Sequence, residues 1–331
     1  MNSTLLKRRD LLMAAAAGLA ASVTDSGLDH DLLAQDKPTP PLPLVPSDPP
    51  REITDGVWII SDNRIPLVPN IGIVIGSDSA LVIDTGMGPV NGEKVLDVAR
   101  RLAPRRNLIL TVTHFHPEHG FGAQVFEKDA KIIYNRVQRD ELEQKGERYL
   151  GMFRGMLGAP AAGVLDNTRI VLPHAVYDGP RSDIDLGGRR VEFINWGLAH
   201  TRGDHVIFLP QERILFAGDL LEERIFPIFP WFPPDDVDID GANWMRILRA
   251  FEDLKPARIV PGHGSPSGLE LPRTVHTYMS DLRDEVTSRR SRGATADAIV
   301  TELRPIILKK YAGWEQPQWI EFAIRYMFER S

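Results

Sequence analysis

The sequence predicts an α/β protein, on three observations. From Val57 onward, short apolar runs bounded by turn residues alternate with amphipathic helical stretches. Several of those runs end in a histidine or a carboxylate, as when one edge of a rigid sheet carries a site. Beyond residue 268 the pattern turns helical, which adds an extension rather than a separate domain. At 331 residues, 43% hydrophobic and 25% charged, the chain has ample core for such a fold.

Taken in order, Lys7-Arg8-Arg9-Asp10 precedes a weakly apolar, alanine-rich run from Leu11 to Val23. A charged start before a run of this length reads as a signal peptide, too short to span as an anchor. The adjacent arginines point to the twin-arginine export route. The expectation is a leader of residues 1–34, cut after Ala21 or Ala34, and a periplasmic or secreted protein with no stable membrane anchor. Residues 35–51 carry Pro38, Pro40, Pro41, Pro43, Pro46, Pro49 and Pro50 and read as an extended linker with no packing of its own. The folded part is expected from Glu52.

Val57-Trp58-Ile59-Ile60, Ile71-Gly72-Ile73-Val74-Ile75-Gly76 and Ala80-Leu81-Val82-Ile83-Asp84 read as strands. Ser77-Asp78-Ser79 is a tight turn between the last two, and residues 63–70, with Pro66 and Pro69, read as an exposed loop. A helix over about 91–102 leads to a buried strand, Leu108-Ile109-Leu110-Thr111-Val112.

That strand runs into Thr113-His114-Phe115-His116-Pro117-Glu118-His119-Gly120. His114 and His116 are two apart, so an extended segment projects both rings to one side. Pro117 suits the first turn of a helix, which brings Glu118 and His119 back to the same point. Imidazole and carboxylate are ligands of zinc and similar divalent metals, so this is read as a metal site at a strand end.

A helix after Gly122, a strand at 131–134 and a helix over 136–157 follow. The apolar side of that last helix, Tyr149, Met152, Phe153, Met156 and Leu157, is core or pocket lining. Strands are expected at 169–172, 184–186 and 190–194, with Leu186-Gly187-Gly188-Arg189 as a hairpin turn. Further ligand types then appear at strand ends: His200 before the run 204–209, Asp219 after 214–217, and His263 after 258–260. A glycine adjoins Asp219 and His263, where the backbone turns sharply. His30, His174, His205 and His276 are read as surface or core residues. The segment 224–234 is aromatic and rich in proline.

With these residues in place the chain resembles the metallo-β-lactamase superfamily, over roughly Ile53 to Gly264 and in the right order. The family pattern His-x-His-x-Asp-His is matched by His114, His116, Glu118 and His119, and the later ligands by His200, Asp219 and His263. Ile83-Asp84-Thr85-Gly86 resembles a supporting turn of the family. The resemblance implies a four-layer αβ/βα sandwich over 52–267, with the helical extension at 268–331. It implies two metal ions, expected as zinc with iron or manganese as alternatives. His114, His116 and His200 would form the first site, and Glu118, His119 and His263 the second, with Asp219 bridging. The implied chemistry is attack of a metal-bound hydroxide on a carbonyl, with Glu118 and Asp219 as catalytic groups. Asp84, Thr201 and Asp204 are candidates for holding the histidines. One position departs from the pattern: Glu118 stands where the family has aspartate, moving the carboxylate by about 1.5 Å.

Asp219 resembles the glyoxalase II and lactonase branches, since members that open β-lactams usually carry cysteine or serine there. With the aromatic segment as a pocket wall, the expected substrate is a hydrophobic ester, lactone or thioester. A β-lactam hydrolase is the alternative, and a single-iron enzyme similar to the persulfide dioxygenases a more remote one. A formal charge of -6 argues against nucleic acid as partner. The absence of cysteine excludes disulfides, thiolate ligands and a cysteine nucleophile. Segment 224–234 and the C-terminal helices are the candidate surfaces for a homo-oligomer.

Overall fold

A computed structural model of the chain describes residues 41–234 and 236–330. The expected leader and the first residues of the linker lie outside the described residues. Two mixed sheets carry the architecture. The first has seven strands in chain order: β1 (Arg51–Thr54), β2 (Val57–Ile60), β3 (Ile71–Ile75), β4 (Ser79–Ile83), β5 (Asn107–Thr111), β6 (Ala130–Asn135) and β7 (Ala175–Tyr177). The second has five: β8 (Arg181–Asp185), β9 (Arg190–Ile194), β10 (Val206–Leu209), β11 (Ile214–Phe216) and β12 (Arg258–Val260), in the order 12-11-10-9-8.

The sheets face each other across Val57, Ile59, Val74, Leu81 and Ile83 on one side and Val191, Phe193, Ile207, Leu209, Phe216 and Val260 on the other. Full burial of each such side chain contributes about 1.5–3 kcal/mol. Helices α1 (Gly88–Leu102) and α3 (Arg136–Leu157) cover the outer face of the first sheet, with the single turn α2 (Pro117–Gly120) between them in sequence. Helices α4 (Gly241–Leu254), α5 (Glu270–Ser291), α6 (Ala296–Lys310) and α7 (Trp319–Arg330) cover the second. This is the expected helix–sheet–sheet–helix sandwich. The C-terminal helices share one core with α4, so the extension is packed on the domain.

Register explains why ligands gather at one edge. β4 and β5 are parallel, with Ile83 opposite Thr111, so Asp84 and the histidine loop leave the first sheet at the same level. β11 and β12 are parallel, with Phe216 opposite Val260, so Asp219 and His263 leave the second sheet side by side. The expected hairpin turn is present, with Gly187 at φ 94° and Gly188 at φ 77°, a left-handed pair that side chains resist.

Four expectations need correction. No strand forms at 169–172; the chain there is irregular, and β7 begins only at Ala175. The proline-rich stretch is not free of packing. Val45 is buried in the core of the first sheet's helical layer, and its amide donates to Asn91 Oδ1 at 2.7 Å. Loop 63–70 is only partly exposed, because Val68 and Asn70 are buried beneath the turn carrying His263. Pro305 lies within α6 rather than dividing it; it and Thr301, four residues earlier, are exposed, so the freed carbonyl is open to water.

The aromatic segment is spent within the chain. Phe226 packs on Tyr278 and Trp314, Phe229 on Trp244 and Tyr326, and Trp231 on Tyr326. No helix among the described residues is long and apolar enough to cross a membrane.

Candidate metal centre

All the ligand-type side chains singled out in the sequence meet between the two sheet edges. His114, His116, Glu118, His119, His200, Asp219 and His263 are each at most 5% exposed. The local cause is visible at the histidine loop. Extended backbone at His116 (φ -61°, ψ 148°) gives way to the one-turn helix begun by Pro117, whose missing amide costs nothing at that position. The turn folds Glu118 and His119 back toward His114.

The site has two sides joined at Asp219. On one, the rings of His114, His116 and His200 form a near-equilateral triangle, with centroids 4.7, 4.8 and 4.9 Å apart. His200 Nε2 lies 3.1 Å from His116 Nδ1. On the other, Asp219 Oδ1 faces His119 Nε2 at 3.2 Å and His263 Nε2 at 3.6 Å. Asp219 Oδ2 turns to His114 Nε2 at 4.0 Å. One ligand atom from each of His114, His116 and His200 falls within 4.8 Å of the others, and the same holds for His114, His119 and Asp219.

These atoms fit a cation. His114 Nε2, His116 Nε2, His119 Nε2, Glu118 Oε2 and both Asp219 oxygens are buried without a hydrogen-bond partner. The His119–Asp219 approach is close enough for an ion pair but misaligned for a hydrogen bond. Each buried unsatisfied group costs about 1–3 kcal/mol, so a cluster of them, all imidazole nitrogen or carboxylate oxygen, is the donor set of a zinc-type site.

The opposite ring nitrogens are anchored. His119 Nδ1 donates to Asp84 Oδ2 at 2.9 Å, His200 Nδ1 to the Ile228 carbonyl at 2.9 Å, and His263 Nδ1 to the Val68 carbonyl at 2.9 Å. Thr113 Oγ1 donates to Asp84 at 3.0 Å and so accepts from His114 Nδ1 at 3.2 Å. These partners place the proton on Nδ1 and leave the Nε2 lone pair facing the centre. His116 differs: its ring is oriented by stacking on Tyr149, with centroids 5.3 Å apart and planes at 18°.

Asp84 therefore holds a histidine, as expected, and does so from a left-handed backbone (φ 67°) that also lets it accept the Thr113 amide at 2.7 Å. Thr201 and Asp204 act on backbone instead. Asp204 accepts the Thr201 amide at 2.8 Å and its hydroxyl at 2.6 Å, closing the loop beyond His200.

Burial and charge divide the ligands electrostatically. Burial, reinforced by neighbouring histidines, holds His114 and His116 well below the usual imidazole range, and burial pushes His200 down to about 4. Burial also opposes charge on His119, but Asp219 and Asp84 outweigh it and hold this ring well above its ordinary value. Burial likewise opposes ionised Asp219, yet the charges of His119 and His263 hold it well below the carboxylate range. Glu118 is pushed up to about 7 by burial.

The remaining histidines stay outside the centre. His205 is buried with Thr111, Asn135 and Tyr177, and His174 Nδ1 accepts the Ile132 amide at 3.0 Å. Sequence reasoning missed Asn70, whose side chain donates to the carbonyls of Pro261 (3.0 Å) and Gly264 (2.7 Å) and so sets the turn around His263. It also missed Gly262, where a Cβ would lie 2.0 Å from Asp219 Oδ1. No spacing rule reaches Asn70, because its partners are 191 and 194 residues away.

Comparison with known proteins agrees with this geometry. The profile of the metallo-beta-lactamase superfamily matches residues 64–263. The acyl-coenzyme A thioesterase MBLAC2 of Gallus gallus is 27% identical over 225 residues, covering 64% of this chain and 78% of the relative. Among solved structures, the metallo-beta-lactamase DIM-1 superposes with a TM-score of 0.56 at 16% identity, over 72% of this chain and 97% of its own. The sec-alkylsulfatase Pisa1 from Pseudomonas sp. reaches 0.61 at 17% identity, over 85% of this chain and 50% of its own.

Proposed function

This chain belongs to the metallo-beta-lactamase superfamily, and from that premise we propose a metallohydrolase that cleaves a hydrophobic thioester, with esters and lactones as related substrates. The observation that carries the reading is the set of buried, unpartnered Nε2 and carboxylate atoms converging on Asp219. The thioesterase relatives favour a thioester within the carbonyl class. In this reading His114, His116 and His200 hold one zinc ion, and Glu118, His119 and His263 a second, with Asp219 shared. Bound there, a pair of divalent ions lowers the pKa of water and polarises a carbonyl oxygen.

The chain's own residues do the rest. Asp84, Thr113, Ile228 and Val68 fix the four histidine rings through Nδ1, so that ligand geometry is set before substrate arrives. Burial of every ligand excludes bulk water and strengthens each charge interaction. Glu118, with its carboxyl near neutrality, is suited to taking a proton from the nucleophile and passing it to the departing thiol. Ile228, Trp231 and Phe232 are partly buried and uncharged beside His200, which favours an apolar acyl group. The proposed setting is the periplasm, reached through the twin-arginine leader; cell fractionation with Arg8→Lys and Arg9→Lys together tests it, and undiminished export would refute it.

The activity is tested on zinc-loaded protein with acyl-coenzyme A thioesters of graded chain length, nitrophenyl esters, a lactone and a chromogenic cephalosporin. The expected result is thiol release that rises with acyl length, stops on chelation and returns with zinc, with two zinc per chain. Cephalosporin turnover exceeding that of every thioester would overturn the substrate reading. One iron per chain with oxygen uptake would overturn hydrolysis itself.

A further inference from the structure

His116 is the one ligand histidine of its triangle without an anchoring oxygen. Its ring lies against Tyr149, and Phe115 meets the same tyrosine edge-on, with centroids 4.8 Å apart at 71°. What holds Tyr149 therefore holds this part of the loop. The Tyr149 hydroxyl donates to Asp236 Oδ2. Asp236 is 5% exposed and also accepts from Lys145 Nζ at 3.2 Å and Arg148 Nη2 at 3.1 Å. Its backbone is pinned to Phe232, with N–O distances of 2.7 and 3.1 Å.

The segment that carries Asp236 is the one whose Ile228 carbonyl accepts from His200 Nδ1. That segment is held from behind by the C-terminal helices, through Phe229 and Trp231 on Tyr326 and Phe232 on Phe322. Two of the three histidines are thus oriented from one segment, His200 by direct contact and His116 through Tyr149.

We propose that Asp236 is a positioning residue for the three-histidine side: it fixes the Tyr149 ring on which His116 stacks, while its own segment fixes His200. The proposal rests on the reading of these histidines as metal ligands. Lys145 and Arg148 neutralise the buried carboxylate, so its place is electrostatically sustained without drawing on the metal. Lys145 also reaches Glu141 at 3.1 Å, and Glu141 accepts the Gly203 amide at 3.0 Å, which ties the loop after His200 to the same helix.

The test is cobalt(II) binding by the full chain in a His263→Ala background, where the three-histidine side is read alone. Affinity is measured by chelator competition, and coordination by the visible d–d spectrum. Tyr149→Phe removes one oxygen and keeps the stack; Asp236→Asn removes the charge. Each is expected to weaken cobalt binding about tenfold and to shift the spectrum, within the range seen for groups that orient ligands. The double variant is expected to be no weaker than the worse single one, because both changes break the same link. Wild-type affinity and spectrum in Tyr149→Phe, or losses that add in the double variant, would overturn the proposal. If Asp236→Asn does not fold, Tyr149→Phe decides alone. A background protein that binds no cobalt overturns the metal reading, and this proposal with it.

Discussion

The two sides of the centre use the same residue types under opposite electrostatics. The triangle of His114, His116 and His200 is held by a hydroxyl, an aromatic face and a backbone carbonyl, none of them charged. Its rings are kept neutral by burial. Across Asp219, His119 is wedged between two carboxylates, Asp84 at 2.9 Å and Asp219 at 3.2 Å, and favours the imidazolium. The first side presents lone pairs ready for a cation, whereas the second must shed protons before its atoms can ligate. What orients a histidine thus also decides its charge.

The largest effect is expected at the group both sides share. Asp219→Ala should reduce thioester turnover by about 10³-fold, toward the upper range for loss of a preorganised charge. Elemental analysis should show one zinc per chain or fewer. A variant that loses metal from one side only would break the comparison and assign Asp219 to that side. Gly262→Ala approaches the same carboxylate sterically, because the new Cβ would sit 2.0 Å from Oδ1 and 2.8 Å from the Gly218 carbonyl carbon. Turnover should fall by about 10²-fold and stability by about 1–3 kcal/mol, read by thiol release and urea unfolding.

These two positions show what a sequence makes legible. Asp219 and His263 stand at the ends of apolar runs, and His114 to His119 are contiguous, so strand-end chemistry exposes them. The helix–sheet–sheet–helix order likewise follows from runs and helical spacing. The strand expected at 169–172 shows the limit: an apolar tetrapeptide has strand propensity, but pairing decides, and β6 pairs with 175–177 instead. The groups that hold the rings were mostly hidden. Ile228 and Val68 act through backbone carbonyls, which carry no residue identity. Asn70 and Asp236 act across long sequence separations from positions that read as loop. Asp84 was found only because it follows a strand, and the loop around Val68 was read as exposed because its prolines mask a buried role.

Proton release gives the next effect, and its sign follows from the shifts. Glu118, near 7, and His119, held high, both carry protons below neutrality and must lose them to ligate. Zinc affinity on that side should rise with pH, approaching about 100-fold per unit below pH 7 for two protons released. The triangle, with His200 near 4 and its neighbours held low, should be nearly flat over the same range. Chelator competition at about pH 6 and 7, in His116→Ala and His263→Ala proteins, reads the sides separately; equal slopes would erase the distinction. Asp84→Asn sharpens it from the protein side, keeping an acceptor for the Thr113 amide while removing the charge facing His119. It should weaken zinc about 10–100-fold on the carboxylate side and leave the triangle unchanged.

The smallest effect concerns a histidine that belongs to neither side. His205 Nδ1 accepts from Tyr177 Oη at 2.9 Å and Asn135 Nδ2 at 3.3 Å, while Nε2 meets Thr111 Oγ1 at 3.2 Å. Thr111 Oγ1 donates to the Ile133 carbonyl at 2.9 Å, so it accepts from Nε2–H, and Nδ1 has no room for a proton. Burial accordingly pushes the ring down to about 3, below its ordinary value. A depressed value contributes stability that is complete above about pH 6.5 and is lost as pH falls toward the folded value, at about 1.4 kcal/mol per unit. His205→Gln should therefore cost stability at pH 7 yet flatten the acid limb by that slope, measured by urea unfolding of chelator-treated protein between pH 7 and 5. Its zinc content should equal that of wild type. A variant that kept the full acid slope would mean that the neutral rings of the triangle, rather than His205, carry the chain's acid sensitivity, and that the quieter side of the centre is the one that limits the fold.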